Sequence, residues 1–244
     1  MLTAPATGAA EGLTDPAGSG YTVSEAELEK MAKNLEDFRS AILSGNASRV
    51  RTLLEEGVNP NILLANGDTP LTYAYRSDAF GVARELLEGR LTDLSLENRM
   101  GESPLMMAVF KGRRDDVELL LQRGAAVNKP HGWTPLHYAA TQGEVDMMKR
   151  LIELGAAVNA QTRAGVTPLH MAARKPSREA VMTLLRAGAY RDYCTDAGLS
   201  PADFARNAGD EELGRYLAVE RCAVKGLARQ SSQPAQPSLF MERK

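Results

Sequence analysis

Apolar residues recur along this chain with a helical period, and the first such segment covers about 20 residues from Ser24 onward. Ser24 precedes Glu27 by three positions, which is the spacing of a capping box and predicts a helix start. Apolar residues then follow at steps of three and four, which places them on one helical face: Leu28, Met31, Leu35, Phe38 and Ile42. We expect this face to pack against the segment that follows and to close one end of the fold.

The rest of the pattern is a repeat: a short apolar helix, a break, and a second helix that ends in a bulky pair. Six such pairs occur, at Leu53-Leu54, Leu86-Leu87, Leu120-Leu121, Leu151-Ile152, Leu184-Leu185 and Tyr216-Leu217. A glycine follows four of the pairs by three residues, where a glycine commonly ends a helix. The pattern therefore predicts six units of two helices each.

A four-residue signature, Gly-x-[ST]-Pro, starts five of these units. Its Thr-Pro or Ser-Pro step falls at 69–70, 103–104, 134–135, 167–168 and 200–201, with spacings of 34, 31, 33 and 33 residues. The glycine permits a tight turn, the hydroxyl can cap the coming helix, and proline fits the first helical turn. Each signature is thus predicted to join a loop to a helix.

With TPLHYAA at 134–140, TPLHMAA at 167–173, and GAAVN at both 124–128 and 155–159, the chain closely resembles the ankyrin repeat family over about residues 35–222. The resemblance implies an all-α ankyrin repeat solenoid of about six helix-turn-helix units joined by short finger loops. The stretches VNKPHGWTPLHYAATQGEV and SPADFARNAGDEEL also look like short stand-alone ankyrin proteins of bacteria.

The predicted organisation has flexible tails at 1–22 and 223–244 around a folded region at 23–222. Its units are 35–66, 67–100, 101–131, 132–164, 165–197 and 198–222. Unit two departs from the pattern, because its glycine comes one place early and its connection is longer. Unit three has a finger that is two residues shorter and contains Lys129, Pro130 and His131, so we expect it to be stiff. The last unit has a polar outer face and is predicted to be a C-terminal cap.

Composition and charge argue against several function classes. The net charge of −2 gives no broad basic surface for nucleic acid or anionic membrane, and no stretch approaches the roughly 20 apolar residues of a membrane span. The sequence contains no metal-binding spacing of Cys and His, nucleophile elbow or Walker-type loop. We therefore expect no catalytic residue, cofactor or metal, and no nucleic-acid or membrane partner.

The compartment has to be inferred from weak signals. The first 20 residues contain no basic segment followed by an apolar one, so a cytoplasmic protein is expected; export is the alternative if an upstream signal is missing. Cys194 and Cys222 are too few for a disulfide framework and are interpreted as free thiols.

The family resemblance implies that partners contact the finger tips and the exposed side of the first helices. On that basis we assign partner binding to Arg76, Phe110, Lys111, His131, Trp133, Tyr138, Gln142 and Arg174. Alternatives stay open for Trp133, which could pack across the short loop, for Tyr138, which could pack between helices, and for His131, which could simply be solvated. His137 and His170 occupy the TPLH position, where a histidine usually ties its turn to the neighbouring unit.

The sequence thus predicts a monomeric, non-catalytic module that binds a protein through its concave face and finger tips. An alternative is a dedicated inhibitor or escort of one enzyme or secreted protein. A remote alternative is an enzyme whose site is built across repeats.

Overall fold

A computed structural model describes residues 23–175 and 177–222. These residues contain twelve α-helices and no strand. The predicted tails and Pro176 lie outside them. The helices are α1 (Glu25–Leu43), α2 (Ala47–Glu55), α3 (Pro70–Arg76), α4 (Phe80–Glu88), α5 (Pro104–Phe110), α6 (Arg114–Gln122), α7 (Pro135–Gln142), α8 (Val145–Glu153), α9 (Pro168–Arg174), α10 (Arg178–Arg186), α11 (Pro201–Asn207) and α12 (Glu211–Leu217).

The helix starts confirm the predicted junctions. Ser24 accepts a hydrogen bond from the Glu27 backbone N–H, and the Glu27 carboxylate accepts one from the Ser24 backbone N–H, which completes the capping box. Five first helices begin with the proline of a Gly-x-[ST]-Pro junction: Pro70, Pro104, Pro135, Pro168 and Pro201. The missing proline N–H costs nothing there, because a first-turn N–H has no intrahelical partner.

The helices form two rows, which confirms the predicted repeat solenoid. First helices α3, α5, α7, α9 and α11 pack side by side in one row, and second helices such as α2, α4 and α6 pack in the other. Between the rows lies a continuous, mainly aliphatic core in which Leu53, Leu86, Leu120 and Leu151 are completely buried. We call the row of first helices, together with the adjoining fingers, the inner face.

Two buried histidines connect neighbouring units, as expected for the TPLH position. The His137 ring accepts a hydrogen bond from the Thr134 N–H at Nδ1, so its Nε2 carries the proton and donates to the Val166 carbonyl at 3.1 Å. His170 repeats this arrangement one unit later, with the Leu199 carbonyl as acceptor. Burial lowers the pKa of both imidazoles to about 4, so both are neutral at pH 7.

The first half of α1 does not pack as the sequence predicted. Phe38 and Ile42 are completely buried and Leu35 is half-buried, but Leu28 is 49% and Met31 is 64% exposed. The reason is length: α1 has 19 residues, whereas its neighbour α2 has only nine. At about 1.5 Å per residue, α1 extends well past α2, and its first half has nothing to cover it among the described residues.

Irregular turns lie in unit two. Asp78 replaces the glycine that breaks most other units and takes a left-handed φ of 59°, which aspartate tolerates better than most residues. Gly89 ends α4 with a φ of −61°, whereas Gly124 ends its helix with a φ of 85°. The early glycine therefore changes the helix end, and the Thr92 hydroxyl donates to the freed Leu86 carbonyl at 2.6 Å.

The interpretation of the two cysteines as free thiols is wrong. Cys194 lies in the last finger, Cys222 follows α12, and the two form a disulfide with a Cα–Cα distance of 5.6 Å. They are 28 residues apart in sequence, and only the return of the chain past α12 brings them together. Arg191 strengthens the same closure by donating to the Tyr216 carbonyl at 3.0 Å.

Candidate functional site

Three of the proposed partner-binding residues form a row of aromatic rings on the inner face. Phe110 ends α5, Tyr138 lies in α7, and Trp133 precedes α7 in the short finger. The rings of Phe110 and Tyr138 are 5.8 Å apart between centroids, and those of Tyr138 and Trp133 are 5.6 Å apart. Phe110 is 37% exposed, while Tyr138 and Trp133 are half-buried. We call these three residues the aromatic row.

Trp133 and Tyr138 each serve as packing residues and as surface. Trp133 lies against the core and against His137, at 5.4 Å between ring centroids. Tyr138 also lies against the core and donates its hydroxyl proton to Glu102 Oε1 at 2.7 Å. The packing alternative that the sequence left open for these residues therefore holds in part, because both side chains lie against the core and are half-buried. Their role in partner binding stays a prediction.

A polar network holds one end of the aromatic row. Glu102 accepts hydrogen bonds from Tyr138, Asn98 and Arg76, and Arg76 also pairs with the buried Asp68 at 3.1 Å. Burial raises the pKa of Glu102, but the hydrogen bonds from Tyr138 and Asn98 and the charge of Arg76 lower it by more, so the net pKa is below the ordinary value. Glu102 is therefore ionised at pH 7, and Arg76 is already engaged within the protein.

A second set of contacts joins the C-terminal ends of the first helices. Lys111 pairs with Asp78 of the preceding unit at 2.8 Å. The Gln142 side chain reaches the Phe110 carbonyl at 3.4 Å, and Lys175 donates to the Gln142 carbonyl at 2.6 Å. Each contact crosses from one repeat to the next, so this part of the inner face is tied together along its length.

Arg174 lies one unit beyond the aromatic row and is exposed. Together with Thr141, Met171 and Lys175 it lines an open cleft of about 240 Å³. Met171 is almost completely buried and gives this cleft an apolar floor, and Thr141 is held by a hydrogen bond from its hydroxyl to the His137 carbonyl at 2.8 Å. The cleft thus combines an apolar base with two cations.

His131 stands apart from these contacts. It is exposed in the short finger, whose neighbour Lys129 is fixed by bonds to Glu97 at 2.6 Å and to the Gly101 carbonyl at 2.8 Å. Those two bonds give a physical basis for the expected stiffness of the finger. His131 precedes Trp133 by two residues in the same finger.

The residues assigned to partner binding from the sequence did not include Glu102 or Lys175. Glu102 directly follows a junction glycine, and Lys175 directly follows Arg174. Glu102 was one among many carboxylates, and only the packing of three repeats shows that Arg76, Asn98 and Tyr138 converge on it.

Within residues 23–175 and 177–222, no three His, Cys, Asp or Glu side chains come together as a metal-binding group. In those segments, too, no helix has the length and apolar character needed to cross a membrane.

The two rows of helices, the repeated junctions and the partly uncovered aromatic row define a helical repeat protein with an extended lateral surface. The chain belongs to the ankyrin repeat family: the model described as "Ankyrin repeats (3 copies)" matches residues 38–131 and 125–195. Ankyrin repeats generally act as protein–protein interaction modules.

Two relatives are much longer proteins. Human transient receptor potential cation channel subfamily A member 1 is 26% identical over 129 residues, which cover 46% of this chain and 12% of the channel subunit. Alpha-latrocrustotoxin-Lt1a of Latrodectus tredecimguttatus is 30% identical over 89 residues, which cover 36% of this chain and 6% of the toxin. The chain therefore spans only a small part of either relative.

Proposed function

We propose that this protein binds a partner protein, without catalysis, through the concave inner face and the finger tips. The observation that carries the proposal is the aromatic row of Phe110, Tyr138 and Trp133. Aromatic side chains offer a large contact area for little loss of conformational entropy, and they are enriched among the residues that dominate interface energies.

The preorganisation of this surface supports the same conclusion. Tyr138 is held by Glu102, Trp133 by packing on His137, and the finger by Lys129. A partner that docks here orders few groups, so little binding free energy is lost to ordering the surface. Lys111 and Gln142 extend the surface along the helix ends, Arg76 lies at one end of it, and His131 lies at the finger tip.

The test is a cross-linking pull-down from the native cell, followed by affinity measurements on the captured partner. Truncation at the centre of an interface commonly costs about 2 kcal/mol, which corresponds to roughly a 30-fold loss of affinity. We expect that loss for Phe110→Ala, and a loss of less than about threefold for Glu153→Ala, an exposed residue at the end of second helix α8. Melting curves of both variants show whether either acts by unfolding.

If Phe110→Ala binds the partner as tightly as the parent protein and Glu153→Ala binds it more weakly, the recognition surface lies on the second helices. If the captured partner is an enzyme and loses activity in the complex, the protein acts as an inhibitor, which is the alternative that the sequence raised. Turnover of a substrate by the isolated protein would instead support the enzyme alternative.

The disulfide supports the exported location over the cytoplasmic one. Structural disulfides persist in oxidising compartments and are rare in the cytosol, where thiols are kept reduced. Trapping free thiols with a maleimide at the moment of cell lysis tests this: an unlabelled Cys194–Cys222 pair is expected, and complete labelling of both would support a cytoplasmic protein.

A further inference from the structure

Two arginines occupy the same position in different repeats and have opposite surroundings. Arg76 is the last residue of α3 and Arg174 is the last residue of α9, and both helices have seven residues that begin with proline. This equivalence provides a comparison inside one molecule: the same side chain, on the same face, with and without carboxylate partners.

Arg76 is neutralised within the protein. Its Nη2 lies 3.1 Å from Asp68 Oδ1 and hydrogen-bonds Glu102 Oε2. Both carboxylates come from the position directly after a junction glycine, one in the unit of Arg76 and one in the next unit. No external anion is needed to balance this guanidinium.

Arg174 lacks both carboxylates. The positions directly after the corresponding junction glycines, Gly165 and Gly198, are occupied by Val166 and Leu199. In the part of the chain that the structure describes, neither Arg174 nor the neighbouring Lys175 forms a salt bridge with a carboxylate. Two consecutive cations therefore face an apolar-floored cleft with no counterion from their own repeats.

We propose that this cleft receives an acidic side chain from an extended segment of the partner protein. The partner's carboxylate pairs with Arg174 as Glu102 pairs with Arg76. A planar guanidinium matches a carboxylate through two parallel hydrogen bonds, and Lys175 adds positive charge beside it. This inference rests on the proposed function, because it names the partner chemistry of the same inner face.

The most informative variant supplies the carboxylate that Arg174 lacks. Leu199→Glu places a carboxylate at the position that Glu102 occupies relative to Arg76, so Arg174 is expected to turn inward and lose its external ligand. Leu199→Gln is the matched control, since it has nearly the same size and no charge. Leu199 is 39% exposed, so both changes are expected to leave the fold intact, and melting curves check this.

The probe is a blocked peptide, N-acetyl-Glu-Leu-Glu-Leu-Glu-amide, and its counterpart has Gln in place of each Glu. Binding is followed by nuclear magnetic resonance through the Arg174 side-chain Nε–H signal and the nearby backbone amides. The Glu peptide is expected to shift these signals in the parent and in Leu199→Gln. Affinity is expected to fall at least tenfold in Leu199→Glu and in Arg174→Ala.

Three results would overturn the inference: equal shifts with the Gln peptide, equal binding by Leu199→Glu and Leu199→Gln, or the same shifts with inorganic phosphate alone. The third would identify a general anion site. If Phe110→Ala weakens binding of the captured partner and Leu199→Glu does not, the inner face binds the partner, but not through an acidic side chain in this cleft.

Discussion

The two ends of the repeat array are closed by different physical means. At the N-terminal end, the second half of α1 covers the stack by burying Phe38, Ala41 and Ile42, and no covalent link is involved. At the C-terminal end, α12 has only seven residues, and the chain beyond it is fastened to the last finger by the Cys194–Cys222 disulfide.

The contrast concerns how much apolar surface a capping element must bury to close the array without a covalent cross-link. A long helix contributes large side chains such as Phe38 to the core, whereas α12 buries Leu213, Gly214 and Leu217. A cross-link compensates for small burial because it restricts the unfolded chain, whatever the area covered in the native state.

The N-terminal end should depend strongly on one side chain. Phe38→Ala removes a completely buried ring and is expected to cost about 3–5 kcal/mol in the free energy of unfolding, measured by urea titration. Deletion of Ser24–Ser44 removes every contact of α1 and should cost more. An unfolding midpoint equal to that of the parent for the deleted protein would show that α1 does not cap the array.

The C-terminal end should depend on the disulfide. Cys222→Ser is expected to lower the free energy of unfolding by about 2–4 kcal/mol, as expected for a loop of this size. Adding a reductant to the parent should reproduce the effect, and the same reductant should leave Cys222→Ser unchanged. If reduction leaves the unfolding midpoint of the parent protein unchanged, the disulfide does not stabilise the C-terminal end.

Acid should weaken the C-terminal half before the N-terminal half. His137 and His170 have folded pKa values of about 4, below the unfolded value of 6.5, so the unfolded chain binds more protons. Their stabilising contribution is complete above pH 6.5 and falls by about 1.4 kcal/mol per pH unit for each histidine as the pH drops toward 4. Carboxylates with lowered pKa values, such as Glu102, lose their contribution only below about pH 4.5.

Amide hydrogen exchange at pH 6.5 and pH 5 separates the two halves. The first-helix amides of units four and five should lose protection, while the junction formed by Thr69 and Thr72, which uses hydroxyls instead of a histidine, should keep it. A uniform loss along the array would mean that the repeats unfold as one unit or that the histidines do not control the change.

The smallest effect is expected in the first half of α1. Met31 is 64% exposed, so Met31→Ser should change the free energy of unfolding by no more than about 0.5 kcal/mol. Phe38→Ala in the same helix is the matched comparison. A cost for Met31→Ser near that of Phe38→Ala would show that the first half of α1 is covered in solution.

The residues predicted to bind a partner illustrate how much of the inner face the sequence could locate. Phe110, Trp133 and Tyr138 could be placed near one another because the repeat fixes which positions of successive units are neighbours. The ion pairs of Arg76 could not be foreseen, because they depend on how two neighbouring units pack to bring Asp68 and Glu102 to the same guanidinium. Sequence register gives the positions, and side-chain directions come only from packing.

The sequence by itself determined the repeat, the helix starts and the interlocking histidines, because caps, turns and short-range hydrogen bonds depend on residues a few positions apart or one repeat away. The tertiary structure decided the rest. Cys194 and Cys222 meet only through the path of the chain around α12, and Leu28 and Met31 stay uncovered only because the neighbouring α2 is short. These are distances between segments, which no local pattern specifies.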